Sequence, residues 1–195
     1  LIRGISSVLS DASFQLVVTP DLASGGSEAI VRDIVRNKLA DGVIFSRTSP
    51  DDMRVRFLLE ADFPFVSHGR TELASPHPYV DFDNFEFANL GAKALIGKGA
   101  HHLAILLPSP QLTFRNHLLH GFMSAVRDTG VAHQIVEHVT LDSSADALQG
   151  AISTLLQADT APDGLILPGE TSGLAALAAV QDLGLVPGKD VHLLV

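Results

Sequence analysis

Two hydrophobic periodicities follow one another along this chain. Short continuous apolar runs, such as Val43 to Phe45 and Leu103 to Leu107, are typical of strands buried on both faces. Longer segments such as Ile30 to Leu39 instead carry apolar residues at helical spacing, with charged residues on the opposite face. Hairpin signals such as Asn-Gly are scarce, so the pattern predicts an α/β fold built from strand–helix–strand units with parallel sheets.

The same periodicities predict individual elements. Helices are expected at 1–11, 27–39, 50–59, 84–96, 112–129, 145–158 and 170–183. Strands are expected at 14–18, 43–45, 65–67, 79–82, 103–107, 135–139, 165–167 and 191–195. Asp83 should cap its helix by accepting hydrogen bonds from the first turn, and Glu86 suits the positive end of the same helix dipole.

Composition narrows the functional classes. The 195 residues are 46% hydrophobic, enough for a substantial core, and contain no apolar run long enough to cross a membrane. A net charge of −9 with only 13 Lys and Arg argues against a nucleic-acid surface within these residues. The absence of cysteine excludes disulfides and thiolate metal sites, and it fits the cytoplasm without excluding the periplasm.

Polar residues follow most of the predicted strands. Ligands of open α/β sheets bind beyond the carboxyl ends of the strands, so these loops are expected to converge on one cleft. The residues that this rule selects are Ser46, Arg47 and Thr48, His68 and Arg70, Asp83, Asn84 and Glu86, the segment 109–115, and Glu170 and Thr171. Their hydroxyl and charged groups suit a polyol ligand, although each is also explained as a helix cap or a solvated loop residue.

Metal binding and catalysis have little support. The chain has 9 histidines, and His117 and His120 lie three residues apart, but the H-E-x-x-H pattern is absent. The nucleophile elbow G-x-S-x-G and the common phosphate and dinucleotide loops are also absent. We therefore expect no metal, no cofactor and no enzymatic activity.

A family resemblance extends over most of the chain. It is carried by VDFDN at 80–84, LIGKGAHH at 95–102, HGFMSAV at 120–126 and the segment from Ala161 to Val191, with ADGVIFS and FPFVSHGR earlier. Together these segments resemble the effector-binding core of the LacI/GalR family of bacterial transcription regulators. The resemblance implies two Rossmann-like subdomains of the type I periplasmic-binding-protein-like fold, at residues 1–99 and 100–195. It also implies that the family's first strand and its C-terminal end are missing from this chain.

By this resemblance the protein is a ligand-responsive transcription regulator of the cytoplasm, most simply a repressor and a homodimer. It would bind a sugar or other small effector here, and operator DNA through an N-terminal helix-turn-helix outside this chain. The segment 174–180 is a candidate dimer face, unless it packs only on its own sheet. The alternatives are a sugar-binding receptor of a transport system and, further away, a sugar-acting enzyme.

The effector site implied by the resemblance and the strand-end rule is specific. Its residues are Ser46, Arg47, His68, Arg70, Asp83, Glu86, Thr113, Phe114, Arg115, His117 and Glu170. The main departure from the family pattern is Leu118, which stands where many members have an effector-binding arginine; Arg115, one turn earlier, is the candidate replacement. Phe114 could stack on a sugar ring or belong to the core.

Overall fold

The computed structural model describes residues 1–9, 12–21 and 26–195, which form two compact units. The first unit comprises residues 1–43 and 53–64, and the second comprises residues 44–52 and 65–195. The helices are α1 (Ile2–Leu9), α2 (Gly26–Asn37), α3 (Met53–Glu60), α4 (Asn84–Gly97), α5 (Thr113–Val126), α6 (Ala145–Leu156) and α7 (Glu170–Asp182). The strands are β1 (Val43–Ser46), β2 (Phe65–His68), β3 (Tyr79–Val80), β4 (His102–Ile105), β5 (Ala132–Ile135), β6 (Gly164–Ile166) and β7 (His192–Leu194).

Helices α2 and α3 pack together within the first unit. Val31 of α2 and Val55 and Leu58 of α3 are buried, and the burial of Val31 agrees with the apolar stripe predicted for α2. The guanidinium carbon of Arg32 lies 4.4 Å from the centre of the Phe57 ring, a cation–π contact between the two helices. Arg32 also pairs at 2.8 Å with Glu28, one turn earlier on α2.

Two predicted strands are wrong. Residues 14–18 form no strand, and the side chains of Phe14 and Val18 are 70% and 58% exposed. A strand needs a hydrogen-bonded neighbour, and β-propensity alone does not supply one. The strand expected at 135–139 lies three residues earlier as β5, at the edge of its sheet. Edge strands are partly solvated, so they can contain polar residues such as His133 and Gln134 of β5. A search for continuous apolar runs therefore does not identify this strand.

The seven strands of the described residues form two sheets. One has the strand order β1-β2-β3, in which β2 and β3 are parallel with Ser67 opposite Tyr79. The other has the order β5-β4-β6-β7, and every neighbouring pair in it is parallel. This architecture confirms the predicted α/β class with parallel sheets.

Strand β4 divides the main core into two layers. Leu103 and Ile105 belong to a cluster with α4 and α5, whereas Ala104 belongs to a second cluster with α6 and α7. Successive side chains of a strand point to opposite faces, so a continuous apolar run is what a strand covered by helices on both sides requires. Polar groups are therefore left to the ends of the strands.

Helices α4 and α5 approach each other closely. A Cβ atom added to Gly121 of α5 would lie 2.1 Å from the carbonyl oxygen of Phe85 in α4. The buried amide of Asn89 in α4 donates to the carbonyl of Gly121 at 3.3 Å. Helix α4 also approaches β7, where a Cβ atom on Gly91 would lie 3.0 Å from Leu194. The predicted division at residues 99 and 100 stays a prediction, although α4 packs with elements on the far side of that boundary.

Candidate functional site

Thr48 connects the loops that follow β1 and β2. Its side chain is buried, and its hydroxyl donates to the carbonyl oxygen of Arg70 at 2.8 Å. Gly69, just before Arg70, has φ +116° and approaches so closely that a Cβ atom would lie 2.6 Å from the Thr48 hydroxyl. Glycine is therefore required at position 69 both by conformation and by space.

The backbone carbonyl of Thr48 connects the loop after β1 to the start of α5. It accepts hydrogen bonds from the backbone N–H of Thr113 at 2.9 Å and from the Thr113 hydroxyl at 3.1 Å. Thr113 is buried, so this pairing satisfies polar groups that would otherwise be costly to remove from water. Two residues along α5, Arg115 donates to the carbonyl of Pro108 at 2.6 Å. Three loops thus meet around Thr48.

Arg47 brings in a fourth loop through a bidentate ion pair. Its two terminal nitrogens lie 2.6 and 2.8 Å from the two carboxylate oxygens of Asp142, in the loop after β5. The hydrogen bond raises the pKa of Arg47 and holds the pKa of Asp142 below its usual value. The backbone of Arg47 has φ +61°, an unfavourable conformation for a residue with a Cβ atom. Local strain and a fixed side chain together indicate a constrained position.

Arg70 forms a second arginine–aspartate pair. Its Nε donates to Asp81 at 2.7 Å, and its backbone N–H donates to the same carboxylate at 3.2 Å. This hydrogen bonding raises the pKa of Arg70. The Asp81 side chain is only 8% exposed, whereas that of Arg70 is 44% exposed. The guanidinium carbon also lies 5.7 Å from the centre of the Tyr79 ring, so the head group is held on two sides.

The start of α4 follows directly. Asp83 is its N-cap, with the carboxylate accepting from the backbone N–H of Glu86 at 3.0 Å. The predicted cap is confirmed. Asp83 and Glu86 are both exposed, and Asn84 donates to the carbonyl of Phe82. These carboxylates add negative charge at the positive end of α4.

A recess of about 560 Å³ lies between the start of α4, the start of α7 and the end of β7. Phe82 and Phe87 form part of its wall, with ring centres 6.2 Å apart in an edge-to-face contact. Leu177 and Leu193 add apolar surface, and Glu170, the first residue of α7, is exposed at the recess. Phe82 directly follows Asp81 in the sequence, so the wall of the recess begins next to the Arg70–Asp81 pair.

The remaining predicted residues lie at the same strand ends or on α5. Ser46 ends β1, and His68 ends β2 with an exposed side chain. Phe114 packs partly against the core cluster of α4 and α5, and His117 is partly buried one turn further along α5. Leu118 is completely buried in that cluster, so its position faces the core in this chain.

Three residues contribute more to the site than the sequence predicts. Thr48 is its buried centre, although the sequence indicates only a strand-end loop residue, and Asp81 and Asp142 lie outside the predicted set of site residues. Asp81 ends the predicted strand before the cap at Asp83, so its position gave a signal. Asp142 gave none, because its partner Arg47 is 95 residues away.

Within residues 1–9, 12–21 and 26–195, histidine and carboxylate side chains form no group of three that could hold a metal ion. Over the same ranges, every helix is too short or too polar to span a bilayer.

Parallel sheets with a polar cluster at the carboxyl ends of their strands have the arrangement in which open α/β proteins bind ligands. The family model for periplasmic binding proteins and the sugar binding domain of the LacI family matches residues 1–192. The chain therefore belongs to this family.

Individual relatives agree. The chain is 25% identical over 195 residues to the HTH-type transcriptional regulator RafR of Escherichia coli, covering all of this chain and 57% of that protein. A putative transcriptional regulator LacI from Bacillus cereus subsp. cytotoxis superposes with a TM-score of 0.85 at 26% identity, covering 98% of this chain and 68% of the other. The fold is shared by an ABC transporter periplasmic solute binding protein from Actinobacillus succinogenes with bound D-allose, with a TM-score of 0.78 at 19% identity and coverage of 98% and 70%. The chain thus spans little more than half the length of the curated relative.

Proposed function

We propose that this chain is the effector-binding core of a transcription regulator that responds to a sugar. The observation that carries the proposal is that three strand-end loops meet at Thr48 and a fourth joins them through the pair of Arg47 with Asp142. Such a cluster of fixed donors and acceptors is what a polyhydroxylated ligand needs. Membership of a family described by its sugar binding domain supports the same ligand class.

The proposed mechanism is a ligand-dependent shift between two arrangements of the loops around Thr48. A sugar that contacts both Arg70 and Arg115 would favour the arrangement in which those side chains are closest to it. Only a ligand that binds the two arrangements unequally can change their populations. In a homodimer this shift would alter the spacing of two DNA-binding heads. DNA is the partner that a relative's name, HTH-type transcriptional regulator, suggests.

We also propose a dimer surface, but the inner face of α7 is not available for it. Ala175, Ala176, Ala179 and Val180 are buried in the core of their own sheet, whereas Leu174 is 62% exposed. The segment 174–180 therefore offers mainly Leu174 to a second subunit.

A thermal-shift screen of neutral mono- and disaccharides against the intact protein tests the proposal. A ligand at a hundred times its dissociation constant stabilises a protein by about 2.7 kcal/mol, which a melting curve resolves. Replacing Arg70 and Arg115 together by alanine should abolish the shift, whereas alanine at the exposed Arg36 and Arg127 should preserve it. A double variant at Arg70 and Arg115 with unchanged sugar affinity would show that the site is wrong. Sugar binding by an intact protein without a DNA-binding region would instead support a transport receptor.

A further inference from the structure

We infer that the effector is uncharged, and that Asp142 and Asp81 are the residues that make the site reject anionic ligands such as sugar phosphates. This inference rests on the proposed function and names the charge class of its ligand. It follows from how the arginines of the site are occupied, since arginine is the side chain that most often recognises phosphate and carboxylate groups.

The first arginine is fully engaged by a carboxylate. Both terminal nitrogens of Arg47 face both oxygens of Asp142, which is the fork-to-fork geometry that a phosphate group would itself use. A phosphate could bind there only by displacing Asp142 or by binding beside its negative charge. Both routes are unfavourable for an anion, and neither is required for a neutral hydroxyl group.

The second arginine is paired through its Nε, and its carboxylate partner is less exposed than that of Arg47. One oxygen of Asp81 accepts from both the Nε and the backbone N–H of Arg70, and the other accepts from the backbone N–H of Phe82. With its side chain only 8% exposed, Asp81 cannot swing into solvent without breaking all three bonds. The Arg70 charge therefore stays compensated when a ligand arrives.

The surrounding charges point in the same direction. Arg115 donates to a neutral carbonyl group, so its charge is not compensated by a direct partner of opposite sign. Asp83 adds a third carboxylate, close enough to Arg70 to raise the pKa of that arginine further, so three carboxylates offset the three arginines. Like-charge contact disfavours a wrong partner strongly, and these carboxylates would disfavour an anion that binds beside either arginine–aspartate pair.

Neutral polyols fit the two arginine–aspartate pairs better than anions do. A bidentate arginine–aspartate pair still offers outer N–H donors and outer carboxylate lone pairs, and a sugar hydroxyl is both donor and acceptor. Adjacent hydroxyl groups can therefore bridge the two partners without separating them. The pairs act as fixed recognition groups for such a ligand.

Inorganic phosphate is the direct probe, titrated into the intact protein and followed by ³¹P NMR line broadening or calorimetry. The unchanged protein should not bind phosphate saturably. The variant Asp142→Asn removes the negative charge and releases Arg47 from it, so phosphate affinity should rise on the order of tenfold. Asp142→Ser serves as a second variant if the first is poorly folded. Glu28→Gln, which releases the paired Arg32 on α2 outside the site, is the matched control and should gain much less.

Two results would overturn the inference. One is saturable phosphate binding by the unchanged protein that is lost in Arg47→Ala or Arg115→Ala. The other is an Asp142→Asn variant that gains no more phosphate affinity than Glu28→Gln. Failure of the proposed function looks different, since in that case no neutral sugar stabilises the unchanged protein, whatever phosphate does. Sugar binding together with phosphate binding in the unchanged protein would leave the proposed function standing and refute only the charge selectivity.

Discussion

Replacing Gly121 by alanine tests the packing that positions the start of α5. The added Cβ atom would lie 2.1, 2.8 and 3.0 Å from three backbone atoms of Phe85, against 3.4 Å or more for ordinary contact. Backbone cannot rotate away as a side chain can, so α4 and α5 must move apart by about 1 Å at this point. That movement also weakens the buried hydrogen bond from Asn89 to the Gly121 carbonyl.

The expected magnitude is a balance of three terms. Overpacking costs about 1–3 kcal/mol, and loss of the buried hydrogen bond adds about 1 kcal/mol. Alanine recovers about 1 kcal/mol over glycine through helix propensity. We therefore expect Gly121→Ala to lower the free energy of unfolding by about 2 kcal/mol, a fall of roughly 4–8 °C in melting temperature for a protein of this size.

Gly150→Ala is the matched control. Gly150 lies inside α6, and nothing lies within 4 Å of the Cβ atom that alanine would add there. The propensity gain is then unopposed, so this variant should be more stable than the unchanged protein by up to about 1 kcal/mol. Both variants are compared by urea unfolding of the intact protein, followed by circular dichroism at equal protein concentration. Equal stability of the two variants would refute the close helix approach.

Three further substitutions test separate contacts. Thr48→Val should lower the free energy of unfolding by about 1–3 kcal/mol, because the carbonyl of Arg70 loses its hydrogen-bond donor. Thr48→Ser should retain most of the stability, and equal urea midpoints for the two variants would contradict this. Asp142→Asn should lower stability at neutral pH, because the pKa of Asp142 is lowered in the folded protein, and the ion pair stabilises above the unfolded pKa near 3.8. The difference from the unchanged protein should shrink as the pH falls through the lowered pKa, and a difference that persists in strong acid would exclude the ion pair as its cause. Phe122→Ala should cost about 3–5 kcal/mol, because the ring is completely buried, and a loss below 1 kcal/mol in urea unfolding would contradict its place in the core.

Local interactions account for the parts of the structure that could be predicted from the sequence. The cap at Asp83 involves residues three positions apart, and the alternation of β4 reflects one short segment covered on both faces. The parallel architecture follows from strands and helices in alternation, and it is confirmed. Each of these features is determined by neighbours in the chain, so a single sequence carries the signal.

Long-range pairing accounts for what could not be predicted. The pairing of Arg47 with Asp142 joins loops 95 residues apart, and nothing in either segment specifies the other. Thr48 appears in the sequence as one more loop hydroxyl, and its central role emerges only when Arg70 and Thr113 approach it. The edge position of β5 is likewise a property of the assembled sheet, which is why its polar residues gave a misleading signal.

We propose that a sugar bound in this chain controls DNA binding by the intact protein. Fluorescence anisotropy of a labelled operator fragment, titrated with the intact protein in the presence and absence of the neutral sugar found by the thermal-shift screen, measures this directly. The sugar should change DNA affinity at least several-fold, and the double alanine variant at Arg70 and Arg115 should bind DNA but no longer respond to the sugar. DNA affinity that is the same with and without a sugar that demonstrably binds would show that the sugar does not control DNA binding.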